Sequence, residues 1–330
     1  MRAVWVKRHG GADAIEIDAA ADPVASPGHA LVRVAYAGVN FVDIYQRAGR
    51  YPGISLPWRL GIEGSGVVTD VAASEEWRVG DRVAFTTGVQ GAYAERLSVP
   101  LDHLVRVPAN TSLQSAAAVI EQGLTAMVLA DDVARLPIGG TAVVHAAAGG
   151  VGGLLVQLLK LRGARVIGIV SSAQKAAWLE SRGIEAIRND SGSPWRQQLA
   201  ERTDSRGADA VFDSVGATTF EDSLASLKER GHLVLFGAAS GPVASVSIPA
   251  LMAKSATLTR PVLPHFLRDP AVLRARAAAL FAAVHSGDLQ LRIQSTLPLA
   301  QAREAHALLE SRAARGKVLL KVDDSGADRA

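Results

Sequence analysis

Cysteine is missing altogether from the 330 residues. Its absence excludes disulfide bonds, thiolate catalysis and zinc held by cysteine ligands. A nucleic-acid partner finds no support either. The 35 basic and 32 acidic side chains leave a formal charge of only +3, and no block of Lys and Arg concentrates it. No run of about twenty apolar residues occurs, the length a bilayer demands, so no membrane contact is expected. The start does not read as a signal peptide, because Met1-Arg2-Ala3-Val4-Trp5-Val6 already alternates like a strand. A cytoplasmic protein is therefore the expectation. The eight His are scattered, without an HExxH pair or any other metal spacing. No GxSxG is present, and no Ser-His-Asp set forms from local signatures. Internal repeats and low-complexity segments are absent too.

What is present is ample apolar material, 48% of the chain, enough for one large or two ordinary domains. The most informative stretch is His145-Ala146-Ala147-Ala148-Gly149-Gly150-Val151-Gly152-Gly153. It follows the β-branched run Thr141-Ala142-Val143-Val144 and precedes Leu154, Leu155, Leu158 and Leu159, which share one helical face. Small residues at this strand-turn-helix let a backbone approach a pyrophosphate, and a helix start offers free N–H groups. Ala147 stands where the fingerprint has its first glycine, so on spacing alone a plain Gly-rich helix start is an equal reading.

Residues 1 to about 120 read as short strands punctuated by Gly and Pro: 30–36, strands within 61–71, 80–85 and 92–99. That pattern suits a barrel-like or sandwich domain. From Ser112 the period changes. Residues 115–135 read as a helix interrupted at Gly123. Strands at 141–145, 165–170, 186–188, 208–213 and 232–237 then alternate with helices at 151–162, 173–182, 193–203 and 219–229. Such a βαβα series predicts an α/β doubly wound parallel sheet, with 256–260 as a sixth strand. Helices follow at 270–286 and 300–314, and 316–322 is a closing strand expected to return to the first domain. The division is thus 1–120, completed by about 265–330, and 121–264.

The end of the second strand of such a sheet chooses between the two nicotinamide cofactors. A carboxylate there binds the ribose hydroxyls of NAD. Here the strand runs into Ser171-Ser172-Ala173-Gln174-Lys175, with two hydroxyls, a cation and no acid. That set suits a 2′-phosphate; the plainer reading has Ser171 capping the next helix and Lys175 solvated. Asn40-Phe41-Val42-Asp43-Ile44-Tyr45-Gln46-Arg47-Ala48-Gly49-Arg50-Tyr51-Pro52 is the densest polar and aromatic stretch of the first half. It suits a cleft for a planar carbonyl compound. It also suits a loop in which Asp43 and Arg47 pair on one helical turn, and the residues alone favour the loop.

Several motifs occur in order: HAAAGGVGG at 145–153, Asn40-Phe41-Val42-Asp43, Arg47-x-Gly49-x-Tyr51-Pro52, Gly61-x-Glu63-x-x-Gly66, Val79-Gly80-Asp81-Arg82-Val83, Gly123-Leu124-Thr125-Ala126, Ser172-Ala173-Gln174-Lys175, Asp213-Ser214-Val215-Gly216 and Thr259-Arg260-Pro261. Together, over residues 1 to about 322, the chain resembles the zinc-free quinone oxidoreductase (zeta-crystallin-like) branch of the medium-chain dehydrogenase/reductase superfamily. The resemblance implies a Rossmann sheet plus a GroES-like, mostly β catalytic domain, with NADPH as cofactor and no metal. The zinc-dependent relatives carry a Cys within the stretch where Ala37 to Asn40 stands, and a His where Ile62 stands. Asn40 and Thr125 are implied near the nicotinamide, Tyr45 and Tyr51 near the substrate. Ala148, Gly149, Gly150, Val151 and Gly152 are implied at the pyrophosphate, and Ser171, Ser172 and Lys175 at the 2′-phosphate. Asn189 lies where the third strand meets the adenosine phosphate, and Gly216, Phe236 and Gly237 are implied at strand ends facing the cofactor. Arg260 follows the last strand, and Lys317 matches a position that approaches the cofactor phosphate. One departure is Asp190, where relatives often have Tyr; an inward carboxylate would weaken phosphate binding.

The expected activity is hydride transfer from NADPH to a quinone or conjugated carbonyl in a cleft between the two domains, in a homodimer joined through Ala256–Arg260. An enal, enone or enoyl-thioester reductase with a Tyr proton donor is the nearest rival, and a non-catalytic NADPH-binding protein a further one. If Lys175 grips the 2′-phosphate, Lys175→Ala raises the KM for NADPH by roughly ten-fold, the size of one charge-assisted contact, and leaves NADH nearly unchanged. Steady-state kinetics with both cofactors check this.

Overall fold

The structure is a computed structural model. It describes residues 1–51, 53–86, 88–189, 194–311 and 314–323, so Asp190 lies outside the described residues. The chain divides into two compact units, Met1–Leu124 with Phe266–Ala330, and Thr125–His265.

The first unit is built on the long strand His29–Val39. Its alternation buries Ala30, Val32 and Val34 completely while Leu31 and Arg33 stay half-buried. One edge of this strand pairs with Gly64–Val71, and the other is shared by Arg96–Pro100 and the closing strand Lys317–Lys321. The resulting sheet runs Ile293–Pro298, Lys317–Lys321, His29–Val39, Gly64–Val71, Arg82–Phe85, Leu104–Arg106. A second sheet orders Ile15–Ala19, Arg2–Val6 and Trp58–Arg59. The two share one core, which includes Val4, Val6, Val32, Leu60, Phe85, Tyr93 and Leu320. The end of the chain therefore completes a sheet begun by residue 29, and the helices Pro270–Ser286 and Ala302–Glu310 come with it.

In the second unit six parallel strands follow the order Glu185–Arg188, Arg165–Val170, Thr141–His145, Ala208–Asp213, Leu227–Leu235, Thr257–Thr259. The chain works outward from Thr141–His145 in one direction, then restarts beside it in the other. Ligands bind outside the carboxyl ends of the strands at such a switch point. β-branched residues such as Val143, Val144, Ile167 and Ile169 fill both faces and are buried.

The helix expected to break at Gly123 does not. Leu113–Val128 runs straight through that glycine and continues with one wider π turn over Leu129–Val133. By length and composition 113–133 matches a membrane span, yet 67% of its most apolar window is buried inside the fold, as a core helix should be. The reason for Gly123 is space. A Cβ there would lie 2.5 and 2.6 Å from the two methyls of Leu280, itself fully buried on Pro270–Ser286. Gly123→Val is expected to destabilise the protein by about 1–3 kcal/mol through overpacking; an unchanged denaturation midpoint would contradict this.

Candidate active site

At the carboxyl edge of the parallel sheet, the turn after Thr141–His145 is held by Gly149 N–H donating to the Ala146 carbonyl at 2.8 Å. The helix Gly150–Leu161 starts at once, capped by Gly149 in an extended conformation. Its first N–H groups, those of Gly150, Val151 and Gly152, have no partner within the helix and carry the positive end of its dipole. Gly152 is required by contact. A Cβ there would overlap the Ala146 carbonyl oxygen and come within 3.0 Å of its carbon. Ala147, in place of the first fingerprint glycine, is fully buried. Its methyl fits because Gly168 on the neighbouring strand has none, and a Cβ at Gly168 would lie 2.7 Å from it. Ala148 is buried as well, while Gly149 and Val151 are half-buried.

The end of the second strand shows both features weighed for it. Ser172, not Ser171, caps the helix Ala173–Glu180, its Oγ accepting from Lys175 N–H at 3.4 Å. Lys175 Nζ donates to the exposed Ser171 Oγ at 3.2 Å. Ammonium and hydroxyl are thus gathered at one point of the edge. Asn189 is exposed, its N–H bonded to the Val170 carbonyl at 2.8 Å. Arg260 is exposed after Thr257–Thr259, and Thr125 is half-buried within Leu113–Val128.

Asp213 organises the fourth strand end, a role that local sequence patterns did not reveal. Fully buried, it accepts from Val215 N–H at 2.7 Å, Gly216 N–H at 3.0 Å, Thr219 Oγ1 at 2.7 Å and Ser223 Oγ at 2.7 Å. Ser223 Oγ in turn lies 3.1 Å from Nε2 of buried His145. Because Ser223 donates to Asp213, the ring must donate to Ser223, which puts a proton on Nε2; burial lowers the His145 pKa. The Asp213 carbonyl accepts from Phe236 N–H at 2.8 Å, and Gly237 passes so close to Ser214 that a Cβ would overlap its carbonyl oxygen. The Asp213 carboxylate thereby sets the loop that carries Gly216, and its backbone carbonyl holds the neighbouring Phe236-Gly237.

In the first unit Asn40 caps the helix Phe41–Arg47 in a capping box, with Asn40 N–H donating to Asp43 Oδ2 at 2.8 Å. Tyr45 is half-buried one turn further on, its ring 6.2 Å from that of Phe41, and Tyr51 beyond the helix is 43% exposed. The local Asp43–Arg47 pair does not form. Asp43 instead also accepts from Tyr93 OH at 2.9 Å. Arg47, 1% exposed, donates to Gly10 O at 3.1 Å, to Glu310 at 2.6 Å and to His306 Nδ1 at 3.1 Å. Burial and the Arg47 charge push His306 down to about 3, so the ring is neutral and accepts.

Lys317, implied at a cofactor phosphate, lies in a buried cluster of polar groups. The side chain is 1% exposed, and its ammonium donates to Val39 O at 3.3 Å, to Asn40 Oδ1 at 2.9 Å and to Glu63 Oε1. Three acceptors use three protons, and none is left for a phosphate. Glu63, also fully buried, accepts from Asn40 Nδ2 at 2.6 Å and from Glu121 N–H at 3.0 Å. The sequence carries Glu63 only as part of a glycine motif; its partner lies 254 residues away.

Burial pushes the Asp43 carboxyl up to about 7, against the Asn40 N–H, the Tyr93 hydroxyl and Lys317, which pull it down. The folded state therefore holds this proton more tightly than the unfolded chain does. The stability it confers is present below about 3.8 and is lost as the pH rises through the window up to about 7. Asp43→Asn keeps one oxygen for both donors and does not titrate. Its Tm relative to the wild type is expected to climb between pH 5 and 8, on the order of a few degrees. A difference independent of pH would contradict the assignment.

Two family models match the chain, the alcohol dehydrogenase GroES-like domain over residues 26–109 and the zinc-binding dehydrogenase over residues 150–279. A quinone oxidoreductase of Pseudomonas aeruginosa is 38% identical over 314 residues, covering 94% of this chain and 97% of the relative. The crystal structure of Escherichia coli quinone oxidoreductase complexed with NADPH matches with a TM-score of 0.94 at 33% identity, over 98% of this chain and 100% of that one. A 2-haloacrylate reductase of Burkholderia is 32% identical over 302 residues, 89% of this chain and 91% of the relative. With a parallel sheet of this order, a GroES-like unit and relatives of this likeness over nearly its whole length, the chain belongs to the quinone oxidoreductase branch of the medium-chain dehydrogenase/reductase superfamily.

Proposed function

We propose that the chain is an NADPH-dependent quinone reductase that works without zinc. The observation that carries the cofactor is the end of the second strand, where Lys175 Nζ meets Ser171 Oγ and residues 171–175 include no carboxylate to bind ribose hydroxyls. The donors fit the group: the N–H groups of Gly150, Val151 and Gly152 for a pyrophosphate, and Ser171, Ser172 and Lys175 for a 2′-phosphate. Zinc does not fit the residues. There is no cysteine, Ile62 replaces the implied His, and the buried Glu63 carboxylate already has the Lys317 ammonium against it. Among the described residues no three His, Asp or Glu gather as metal ligands.

When bound, NADPH supplies the hydride. The chain's part is to bind and orient. Asn40 and Tyr45 polarise the acceptor's carbonyl oxygen by hydrogen bonding, and Tyr51 lines the same site. A quinone makes little demand for a general acid, because reduction yields a stabilised phenolate. A second reading, reduction of a conjugated double bond with Tyr45 or Tyr51 giving a proton, is favoured by the similarity to the 2-haloacrylate reductase. NADPH oxidation measured across quinones, enals and enones separates the two, together with Tyr45→Phe. For quinone reduction the variant loses one oriented hydrogen bond, about 1–3 kcal/mol or roughly ten- to a hundred-fold in kcat/KM, with an unchanged pH profile. Loss of enone turnover by about 10²–10⁴-fold with an altered pH profile supports the second reading.

The same reading includes a homodimer. Thr257–Thr259 pairs with Leu227–Leu235 on one side and ends the sheet on the other. Val246, Ile248, Met252 and Val262, close to it in sequence, are exposed, Ile248 and Met252 by 71% and 75%. Pairing such an edge with its symmetry mate removes free backbone groups and covers apolar side chains. Light scattering at micromolar concentration is expected to give twice the chain mass of 34.5 kDa; a monomer mass would reject the dimer.

A further inference from the structure

An asparagine that binds a carbonyl oxygen must present N–H and not C=O, yet its carboxamide can be turned over at little cost. In this protein the orientation of Asn40 is dictated from both ends. The Lys317 ammonium has no acceptor capacity, so the atom 2.9 Å from it must be the Asn40 oxygen. Glu63 accepts, so the atom 2.6 Å from its Oε1 must be the Asn40 nitrogen. Turning the amide over would set N–H against ammonium and C=O against carboxylate. The second Asn40 N–H reaches only the Gly38 carbonyl, at a long 3.4 Å. Gly38 makes the arrangement possible: a Cβ there would overlap the Glu63 carboxylate and come within 2.7 Å of Lys317 Cε.

We propose that the buried Glu63–Lys317 pair is a positioning device for Asn40, locking its carboxamide so that one N–H is held ready for the oxygen of the hydride acceptor. The inference rests on the reading of Asn40 as part of the acceptor site. It gives Glu63 and Lys317 a role in turnover without contact with substrate, and it replaces the cofactor-phosphate role for Lys317. Removing only one partner leaves a lone buried charge. The variant for the test is therefore Glu63→Gln/Lys317→Met, which removes both charges and keeps an acceptor near Asn40 Nδ2.

The folded double variant is assayed with NADPH and 1,4-benzoquinone beside Asn40→Ala, Lys317→Arg and the wild type. The expected result is a roughly ten-fold or greater loss of kcat in the double variant. Its NADPH Kd, from fluorescence titration, stays within about two-fold of wild type, and Lys317→Arg retains most of the turnover. Wild-type kcat in the double variant, with Asn40→Ala impaired, overturns the inference alone. Wild-type turnover in Asn40→Ala overturns the site reading and the inference with it. A ten-fold loss of NADPH affinity in the double variant returns Lys317 to the phosphate. A measurement on the unaltered protein needs no variant to fold: 15N–1H spectra should show one Asn40 side-chain proton protected from solvent exchange and the other exposed. Equal exchange of both would overturn the proposal.

Discussion

The closeness of the helix Gly150–Leu161 to the turn before it is the constraint on which the nucleotide edge depends. Gly152 sits against the Ala146 carbonyl with no room for a Cβ. That contact brings the helix start up to the end of Thr141–His145, so the free N–H groups of Gly150, Val151 and Gly152 share the edge with the other strand ends. The space needed at the first fingerprint position has been moved rather than lost: Ala147 keeps its methyl and Gly168 on the next strand gives one up. Asp213 extends the same edge by gathering the N–H groups of Val215 and Gly216, and the hydroxyls of Thr219 and Ser223, around one buried carboxylate. A buried carboxylate with this many donors costs little, and it fixes the loop around it.

The first unit solves a different problem, since its two chain segments are far apart in sequence. Polar contacts, some buried and some half-buried, join them. Lys317 meets Glu63, Arg47 meets His306 and Glu310, and Arg303 Nε donates to the Ile15 carbonyl at 2.5 Å. Arg274 donates to the Leu101 carbonyl at 3.0 Å while its guanidinium, with that of Arg106, lies over the buried Trp77 ring. Lys317 and Glu63 are both enclosed, so losing either leaves the other buried and unpaired. The helix Phe41–Arg47 stands between these contacts, with Asn40 and Asp43 in one network and Arg47 in the other. Tyr45 on this helix is left half-buried, and Tyr51 beyond it exposed.

Local periodicity is enough to place Thr141–His145, Arg165–Val170 and Ala208–Asp213, because a buried parallel strand is a short apolar run whatever surrounds it. The family follows from many linked motifs along nearly the whole chain, and the cluster of Ser171, Ser172 and Lys175 is legible because its members lie within one turn; the order of the six strands is seen only in the fold. Helix lengths were less legible. The helix expected over 219–229 is only Phe220–Ala225, and Leu227 already begins the next strand. Gly123 looked like a break because its reason, Leu280, is remote in sequence. Arg47 and Asp43 looked like partners because they are four apart, but each has stronger partners that only the fold supplies. Lys317 could be tied to the site by resemblance; its three acceptors could not be read, since Glu63 and Asn40 reach it from the other end of the chain.

The claim that most depends on this geometry is that the strand edge of the second unit selects a nicotinamide cofactor carrying a 2′-phosphate. Fluorescence titration of the wild-type protein with NADPH and with NADH, at the same ionic strength, measures it directly. The account predicts that NADPH binds at least roughly ten-fold more tightly, as one charge-assisted contact to Lys175 and the neighbouring hydroxyls requires. Equal affinity, or tighter binding of NADH, would contradict it.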